Sequence, residues 1–396
     1  MESTFGKGQL TIVVDRAIPY VVVAFSQIGR VVALKSTEIT RKALRKTDIL
    51  IVRSETRVDK SLLEGSNIRF VGTVTIGTDH IDPDYLVSKG IAFASAPGSN
   101  ANSVAEYVAA GLLTWTERTR QSLQGKTIGI VGVGNVGSKV LNVAQALGMT
   151  PLLNDPPLAR RHVAGKFVPL DDLMDADFIT LHVPLTRTGE DATVHLFDKK
   201  RIAGMKRGSV LINTSRGPVL ETGALREALA SSHLSAAILD VWEREPVIDM
   251  GLLEQVMLGT PHIAGYSLDG KLNALRMVYE SVCRHLNILP SWTVEAVAPG
   301  DLSHFRIPAH LSDEQSIVGF AVRRAYDIEL DDSLLRAALN ISRDDLGEYF
   351  MRLRAEYRAR REFFNYEIEL DSVRRTSTGA LGQLGFKTTV KEKVQL

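Results

Sequence analysis

The chain has 396 residues, and at roughly 150 residues per domain it should hold two or three domains, which excludes a single small binding module. Hydrophobic residues make up 44% and charged residues 23%, a balance that allows a buried core in each domain and excludes wholesale disorder. Lys plus Arg is 47 against 46 for Asp plus Glu, so no global field draws the chain to nucleic acid or to an anionic membrane, and neither partner is expected.

In chain order, the first ten residues mix Glu2, Lys7, Gly and Gln and lack the apolar core of a signal peptide, and the apolar run 21–25 is too short to span a bilayer. Short β-branched runs then recur at 10–14, 30–34, 49–52, 69–74 and 91–94, alternating with segments of helical period. They predict one small doubly wound domain of five parallel strands. A long helix is expected over 99–120, where Val104, Val108, Leu112, Leu113 and Trp115 make an apolar face. A second strand series follows at 127–131, 151–154, 178–183, 209–213, 236–241 and 256–259, the pattern of a complete nucleotide-binding sheet. Beyond Pro290 the texture turns helical. The stretch 342–366 opens on a Ser-x-x-Asp capping pattern and predicts one long amphipathic helix, whose Arg352, Arg354, Arg358, Arg360 and Arg361 read as a solvated face. Cys283 is the only cysteine, which excludes an intrachain disulfide and a multi-cysteine zinc site. A cytoplasmic protein with no metal site is expected.

The sequence Gly132-Val-Gly134-Asn135-Val136-Gly137 lies between a predicted strand and a helix beginning near Asn135. Gly132 permits the tight turn, Gly134 lets the backbone approach a pyrophosphate, Gly137 lets helix and strand pack closely, and the helix N-terminus presents free N–H groups. Asp155 ends the next strand about 20 residues on, where a carboxylate binds ribose hydroxyls and repels a 2′-phosphate, so NAD is favoured over NADP.

Three polar residues stand beyond the ends of later strands: Arg216, Glu245 and His262. In an open parallel sheet ligands bind outside those ends, so all three can converge on a nicotinamide. An imidazole suits proton removal from an alcohol near neutral pH, a carboxylate beside it supports the protonated form, and a guanidinium grips a substrate carboxylate.

These residues carry a resemblance. The motifs Gly132 to Gly137, Ile212-Asn-Thr-Ser-Arg216-Gly217, Leu239-Asp240-Val-Trp-Glu-Arg-Glu245-Pro246 and Gly259-Thr-Pro-His262-Ile-Ala-Gly265 stand in the order of the D-2-hydroxyacid dehydrogenase superfamily, which the chain resembles. The resemblance implies an NAD-dependent oxidoreductase with Arg216 on the substrate carboxylate, His262 as acid/base and Glu245 as its partner. Further matches at Val52-Arg53-Ser54, at 70–80, at 154–157, at 262–270 and at Tyr326-Asp327, Asp331-Asp332 and Leu335-Arg336 are similar to one branch, which oxidises a small phosphorylated 2-hydroxy acid. That branch implies substrate contacts at Ser54, Thr75 and Tyr266 and cofactor contacts at Asp155, Asp240 and Gly265, with a backbone contact only at Val183. The N–H groups of Ile76 and Gly77 offer themselves to a carboxylate. Arg53 is a candidate for the distal phosphate, or else an ion-pair partner of Asp48 or Glu55.

The expected architecture is α/β, with a flavodoxin-like substrate domain at 1–98 and 267–290, a Rossmann NAD domain at 99–266 and a small α+β domain at 291–396 that builds a homodimer. Phe350, Phe363, Phe364 and Tyr366 fit either such an interface or a self-contained core. The rivals are the same chemistry on 3-phosphoglycerate or glyoxylate, and a non-catalytic NAD-sensing protein.

Overall fold

A computed structural model of the protein describes residues 10–163, 165–295 and 303–391. The expectation that no leader precedes the first domain falls on residues outside this set. The chain divides into two compact units, Met1–Asn100 with Ser267–Asp301 and Ala101–Tyr266 with Leu302–Leu396. Residues beyond 302 therefore share a unit with the nucleotide-binding sheet instead of standing apart. Among the described residues no helix is long and apolar enough to cross a membrane.

The first unit holds five parallel strands: β1 (Thr11–Asp15), β2 (Arg30–Leu34), β3 (Ile49–Val52), β4 (Phe70–Thr73) and β5 (Ala92–Ala94). Their order is β2-β1-β3-β4-β5, the flavodoxin-like winding expected from the strand series. The central strand β3 is buried along its whole length, as a continuous apolar run in a sheet covered on both faces should be. The helix Leu268–Leu286 returns to this sheet and packs Leu275, Val278 and Val282 into its core.

In the second unit six parallel strands, β6 (Thr127–Val131), β7 (Thr150–Asn154), β8 (Phe178–Leu181), β9 (Val210–Asn213), β10 (Ala236–Leu239) and β11 (Leu258–Gly259), run in the order β11-β10-β9-β8-β6-β7. A parallel bridge between Leu153 and Phe167 adds a vestige of a further strand outside β7. The strand order reverses between β6 and β8, and that switch point is where a doubly wound sheet opens a crevice. The helix Ala101–Thr119 is buried on nearly every side, because the sheet packs on one face and the C-terminal segment on the other.

That segment forms a three-stranded parallel sheet of β12 (Ser303–Arg306), β13 (Tyr366–Asp371) and β14 (Lys387–Lys391), with β13 in the middle. The helix Ile328–Arg336 covers the edge of β11. Asp332 accepts the Gly259 N–H at 2.7 Å, and Arg336 donates to Asp332 at 2.8 Å and to the Leu253 and Val256 carbonyls. The Asp331-Asp332 and Leu335-Arg336 motif thus closes a strand edge that would otherwise present an unpaired backbone.

The long helix expected over 342–366 is only Leu346–Ala355. Ser342 and Asp345 bond each other in a turn ahead of it. Past Ala355 the arginines abandon helical register for inward partners. Arg358 pairs with the buried Asp331, and Arg360 donates to the Ser103 and Ala264 carbonyls at 2.9 and 3.0 Å. The reading of a solvated arginine face is corrected: of the five, Arg352 is exposed and Arg360 is fully buried. Phe350 and Phe363 lie in cores of this unit, while Phe364 stays 44% exposed.

Replacing Asp332 by Ala strips the Gly259 N–H of its acceptor, and a loss of about 1–3 kcal/mol in unfolding free energy is expected. A chemical denaturation midpoint equal to that of the unmodified protein would mean that β11 does not depend on this contact.

Candidate active site

The glycine turn follows β6 directly. Gly132 has φ +86°, and a Cβ there would meet the His182 carbonyl oxygen at 2.7 Å. A Cβ on Gly137 would overlap the Gly132 carbonyl, so helix Asn135–Ala146 can approach the strand only with glycine at that position. Gly134 is different, since a Cβ there would meet nothing within 4 Å. Its open side leaves the backbone of the turn free for the close approach of another group. No side chain caps the helix N-terminus at Asn135 and Val136, so its N–H groups point at that open side. Asp155, at the end of β7, accepts from the Val133 N–H at 2.8 Å and from Leu158 N–H at 3.0 Å. Its carboxylate is thereby fixed at the rim of the turn. The residues present fit a dinucleotide.

Val183 follows β8 beside this turn, and the residue before it escapes the sequence motifs. His182 lies between two threonine hydroxyls, Thr180 at 2.9 Å and Thr214 at 3.2 Å, and burial pushes its imidazole down to about 3. A histidine between a strand end and Pro184 is a legible signal for it.

Past β9, Asn213 organises the next loop by accepting from the Ser215 N–H and hydroxyl and donating to the Arg216 carbonyl. Gly217 follows because a Cβ there would overlap the Trp242 carbonyl, so the loops after β9 and β10 touch backbone to backbone. Arg216 leaves this loop half-buried, with Nη1 on the Ser215 carbonyl at 2.9 Å.

The loop after β10 supplies Glu245. Its Oε1 accepts the Trp242 N–H at 2.9 Å and its Oε2 meets His262 Nδ1 at 2.7 Å. Burial acts to raise the Glu245 carboxyl, but His262, the Trp242 N–H and the nearby charge of Arg354 outweigh it, and the group is held below the usual range. With Nδ1 committed to Glu245, the Nε2 of His262 is the nitrogen available for proton exchange. The first glutamate of the same motif, Glu243, pairs instead with His195 at 2.7 Å.

His262 itself has φ +58°, a left-handed conformation that costs about 1–3 kcal/mol in a non-glycine residue. Asp240, 1% exposed, holds it there. Its Oδ1 accepts from the Thr260 hydroxyl and the Ile263 N–H, both at 2.7 Å, and its Oδ2 accepts from Ala264 N–H at 2.9 Å. The Thr260 hydroxyl commits its proton to Asp240, so the buried Tyr107 hydroxyl donates to Thr260 at 2.8 Å. Burial pushes the Asp240 carboxyl up, with His262 and the three donors working against it. Beyond Ala264 and Gly265, Tyr266 returns its N–H to the Ile263 carbonyl at 2.8 Å and receives Arg354 Nη2 on its hydroxyl at 2.9 Å. Spacing along the chain offers no hint of Tyr107, Arg354 or Arg360 in this assembly.

In the first unit, the remaining candidates gather past the carboxyl ends of β1, β3 and β4. Arg53 donates to Asp15 at 3.0 Å and lies 3.4 Å from Glu55, so the ion-pair alternative is realised, with Asp15 in place of Asp48. Ser54 beside it is exposed. Thr75 donates to the Gly77 carbonyl at 2.9 Å and lies 2.7 Å from Thr73, whose hydroxyl meets His80 at 2.9 Å. This chain of bonds shapes the loop that presents Ile76, itself 38% exposed, and Gly77.

The model of the D-isomer specific 2-hydroxyacid dehydrogenase NAD binding domain matches residues 95–264, and a model described only as a domain of unknown function matches 301–385. The chain is 45% identical over 368 residues to erythronate-4-phosphate dehydrogenase of Salinibacter ruber, covering 91% of this chain and 94% of that one. It is 42% identical over 381 residues to the Yersinia pestis protein of the same name, covering 96% and 99%. Among solved structures, NAD-dependent formate dehydrogenase of Staphylococcus aureus in complex with NAD superposes with TM-score 0.58 at 28% identity, over 70% of this chain and 96% of that one. D-lactate dehydrogenase of Aquifex aeolicus, with NAD and lactic acid, does so with TM-score 0.58 at 26% identity over 70% and 95%.

The native state keeps His182 neutral, whereas the unfolded chain takes up a proton near the ordinary value of 6.5. Its contribution to stability is therefore complete above pH 6.5 and is lost as the pH falls from there toward 3, by up to about 1.4 kcal/mol per pH unit. Melting temperatures should fall less steeply over that window in His182→Gln than in the unmodified protein. Parallel curves would contradict the assignment.

Proposed function

This chain belongs to the erythronate-4-phosphate dehydrogenase family of D-isomer specific 2-hydroxyacid dehydrogenases, and from that premise we propose that it oxidises 4-phospho-D-erythronate to 3-hydroxy-2-oxo-4-phosphobutanoate. The enzyme is an NAD-dependent dehydrogenase. The observation that carries the reading is the 2.7 Å pair of His262 Nδ1 and Glu245 Oε2, held in one unit with Arg216 and the open glycine turn.

Gly132, Gly134 and Gly137 would hold NAD, with Asp155 on the adenosine ribose, and the bound dinucleotide would supply the acceptor for the hydride that leaves C2. Val183, Asp240 and Gly265 are assigned to the nicotinamide end. Asp240 has given three of its acceptor positions to the His262 loop, which leaves a single lone pair on Oδ2 for an amide. Arg216 grips the substrate carboxylate through two parallel hydrogen bonds, which fixes the orientation of C2. His262 Nε2 takes the proton of the 2-hydroxyl as the carbonyl forms, and the Glu245 carboxylate stabilises the imidazolium that results. Substrate contacts are further assigned to Ser54, Thr75, the N–H groups of Ile76 and Gly77, and Tyr266.

We place the reaction in the cytoplasm, in the biosynthesis of pyridoxal 5′-phosphate. We also assign the C-terminal segment to a homodimer contact, on the strength of Leu330, Leu334, Leu339 and Phe364, large apolar side chains that remain exposed there.

NADH formation with 4-phosphoerythronate, 3-phosphoglycerate and unphosphorylated erythronate tests the proposal, and the first should be strongly preferred. Turnover of 3-phosphoglycerate alone would keep the chemistry and overturn the substrate. His262→Ala should lower kcat by about a hundred- to ten-thousandfold while the protein still binds NADH. Unchanged turnover would remove His262 from the proton step.

A further inference from the structure

We infer that Glu190 and Asp191, on the loop after β8, are cofactor-specificity residues: they hold the Arg160 guanidinium and so deny it to the 2′-phosphate that distinguishes NADP from NAD. The inference rests on the assignment of Asp155 to the adenosine ribose, and it adds the residues that keep a nearby cation from reversing the preference Asp155 sets.

Asp155 itself places the arginine. Its carboxylate caps the short helix Pro156–Arg160 through the Leu158 N–H at 3.0 Å, and it accepts the Val133 N–H of the glycine turn at 2.8 Å. Five residues of helix rise only about 7.5 Å, a span that an extended arginine side chain can cover. Arg160 therefore hangs from the element that Asp155 begins, within reach of the rim where a 2′-phosphate would lie.

The two acids come from the other side of the turn. In the sheet β6 lies between β7, which leads to Arg160, and β8, which leads to Glu190 and Asp191. A side-chain pair between these loops joins the two flanks of the strand that ends in the glycine turn. The loop that presents the acids is held by its own bonds. The Thr193 hydroxyl donates to the Pro184 carbonyl at 2.6 Å and accepts the Thr186 N–H at 2.8 Å, while the Thr193 N–H returns to the Thr186 carbonyl at 2.8 Å. Gly189, with φ +91°, turns the chain at the tip, and the Ala192 N–H closes back on its carbonyl at 3.2 Å. From that tip Asp191 pairs with Arg160 Nη2, and Glu190 lies 3.5 Å from Nη1.

Arg160 and Glu190 are exposed, so the cluster contributes little to folding stability. What it changes is the charge at the rim. A guanidinium grips phosphate oxygens through parallel N–H bonds and would offset the repulsion from Asp155. With two carboxylates already on its fork, Arg160 has little to offer a further anion. Glu190 and Asp191 also add their own repulsion, which a dianionic phosphate feels far more than a ribose hydroxyl does.

Equilibrium titration with NADH and with NADPH, followed by nucleotide fluorescence, reads the preference without turnover. In Glu190→Gln/Asp191→Asn the ratio of the NADPH Kd to the NADH Kd should fall by about tenfold, and adding Arg160→Met should return it close to the unmodified value. Arg161, exposed beside Arg160, stays unchanged in every variant and cancels from the comparison. An unaltered ratio in the double variant would overturn the inference. A fall that survives Arg160→Met would overturn it as well, because the lost negative charge alone would then account for it. Asp155→Ser, which keeps a helix cap, checks the premise separately. Dissociation constants unmoved by that change would take Asp155 off the ribose, and the inference would fall with it.

Discussion

One buried carboxylate sets the geometry of the loop that carries His262. Asp240 is almost wholly removed from water, a placement that costs several kcal/mol unless donors surround the charge. The Thr260 hydroxyl and the Ile263 and Ala264 N–H groups do so, and in meeting that need they bend 260–264 around the aspartate. His262 is thereby forced into a left-handed conformation it would not choose alone, with its N–H on the Asp240 carbonyl at 2.7 Å and its side chain turned toward Glu245. The strain is local and the constraint that sustains it is electrostatic.

The rest of the unit supports this loop from behind. Trp242 donates its indole N–H to the Thr260 carbonyl at 2.9 Å and its backbone N–H to Glu245, so one residue ties the His262 loop to the carboxylate that His262 meets. The C-terminal segment adds a second layer. Arg360 fastens the Ala264 carbonyl to the Ser103 carbonyl of helix Ala101–Thr119, and its guanidinium lies 4.1 Å from the Tyr326 ring centre. Asp332 and Arg336 close the edge of β11, the strand that leads into the loop. The segment that matches a domain of unknown function is thus built against the back of the His262 loop of its own chain.

Local chemistry made much of this legible. The strand runs, the long helix and the glycine turn follow from periodicity and from positions where only a missing Cβ fits, and β2, β3 and β6 fall on the expected residues. Glu245 and His262 follow β10 and β11, and the pair they form at 2.7 Å agrees with those positions; Arg216 follows β9 in the same unit. What could not be read depends on long-range partners. Helical period continued through 342–366, yet Asp331, Ala264 and Ser103, far away in sequence, drew Arg358 and Arg360 out of register. Arg53 reads either as a phosphate candidate or as a partner of Asp48 or Glu55; the Glu55 pair forms, but Asp15, at the end of another strand, lies 38 residues away and could not be named. The inward commitment of Asp240 was equally hidden, since its three donors become neighbours only when the loop folds back.

If the Asp240 carboxylate sets the position of His262 for proton transfer, single-turnover kinetics of Asp240→Asn reveal it most directly. Asn keeps the volume but presents a donor where an acceptor is required, so one N–H or hydroxyl of the loop must lose its partner. With NAD and 4-phosphoerythronate saturating, the rate of NADH appearance should drop by about a hundredfold, as a misplaced acid/base demands. A rate within about twofold of the unmodified enzyme would show that His262 keeps its place without Asp240, and the buried carboxylate would lose its role as the organiser of the site.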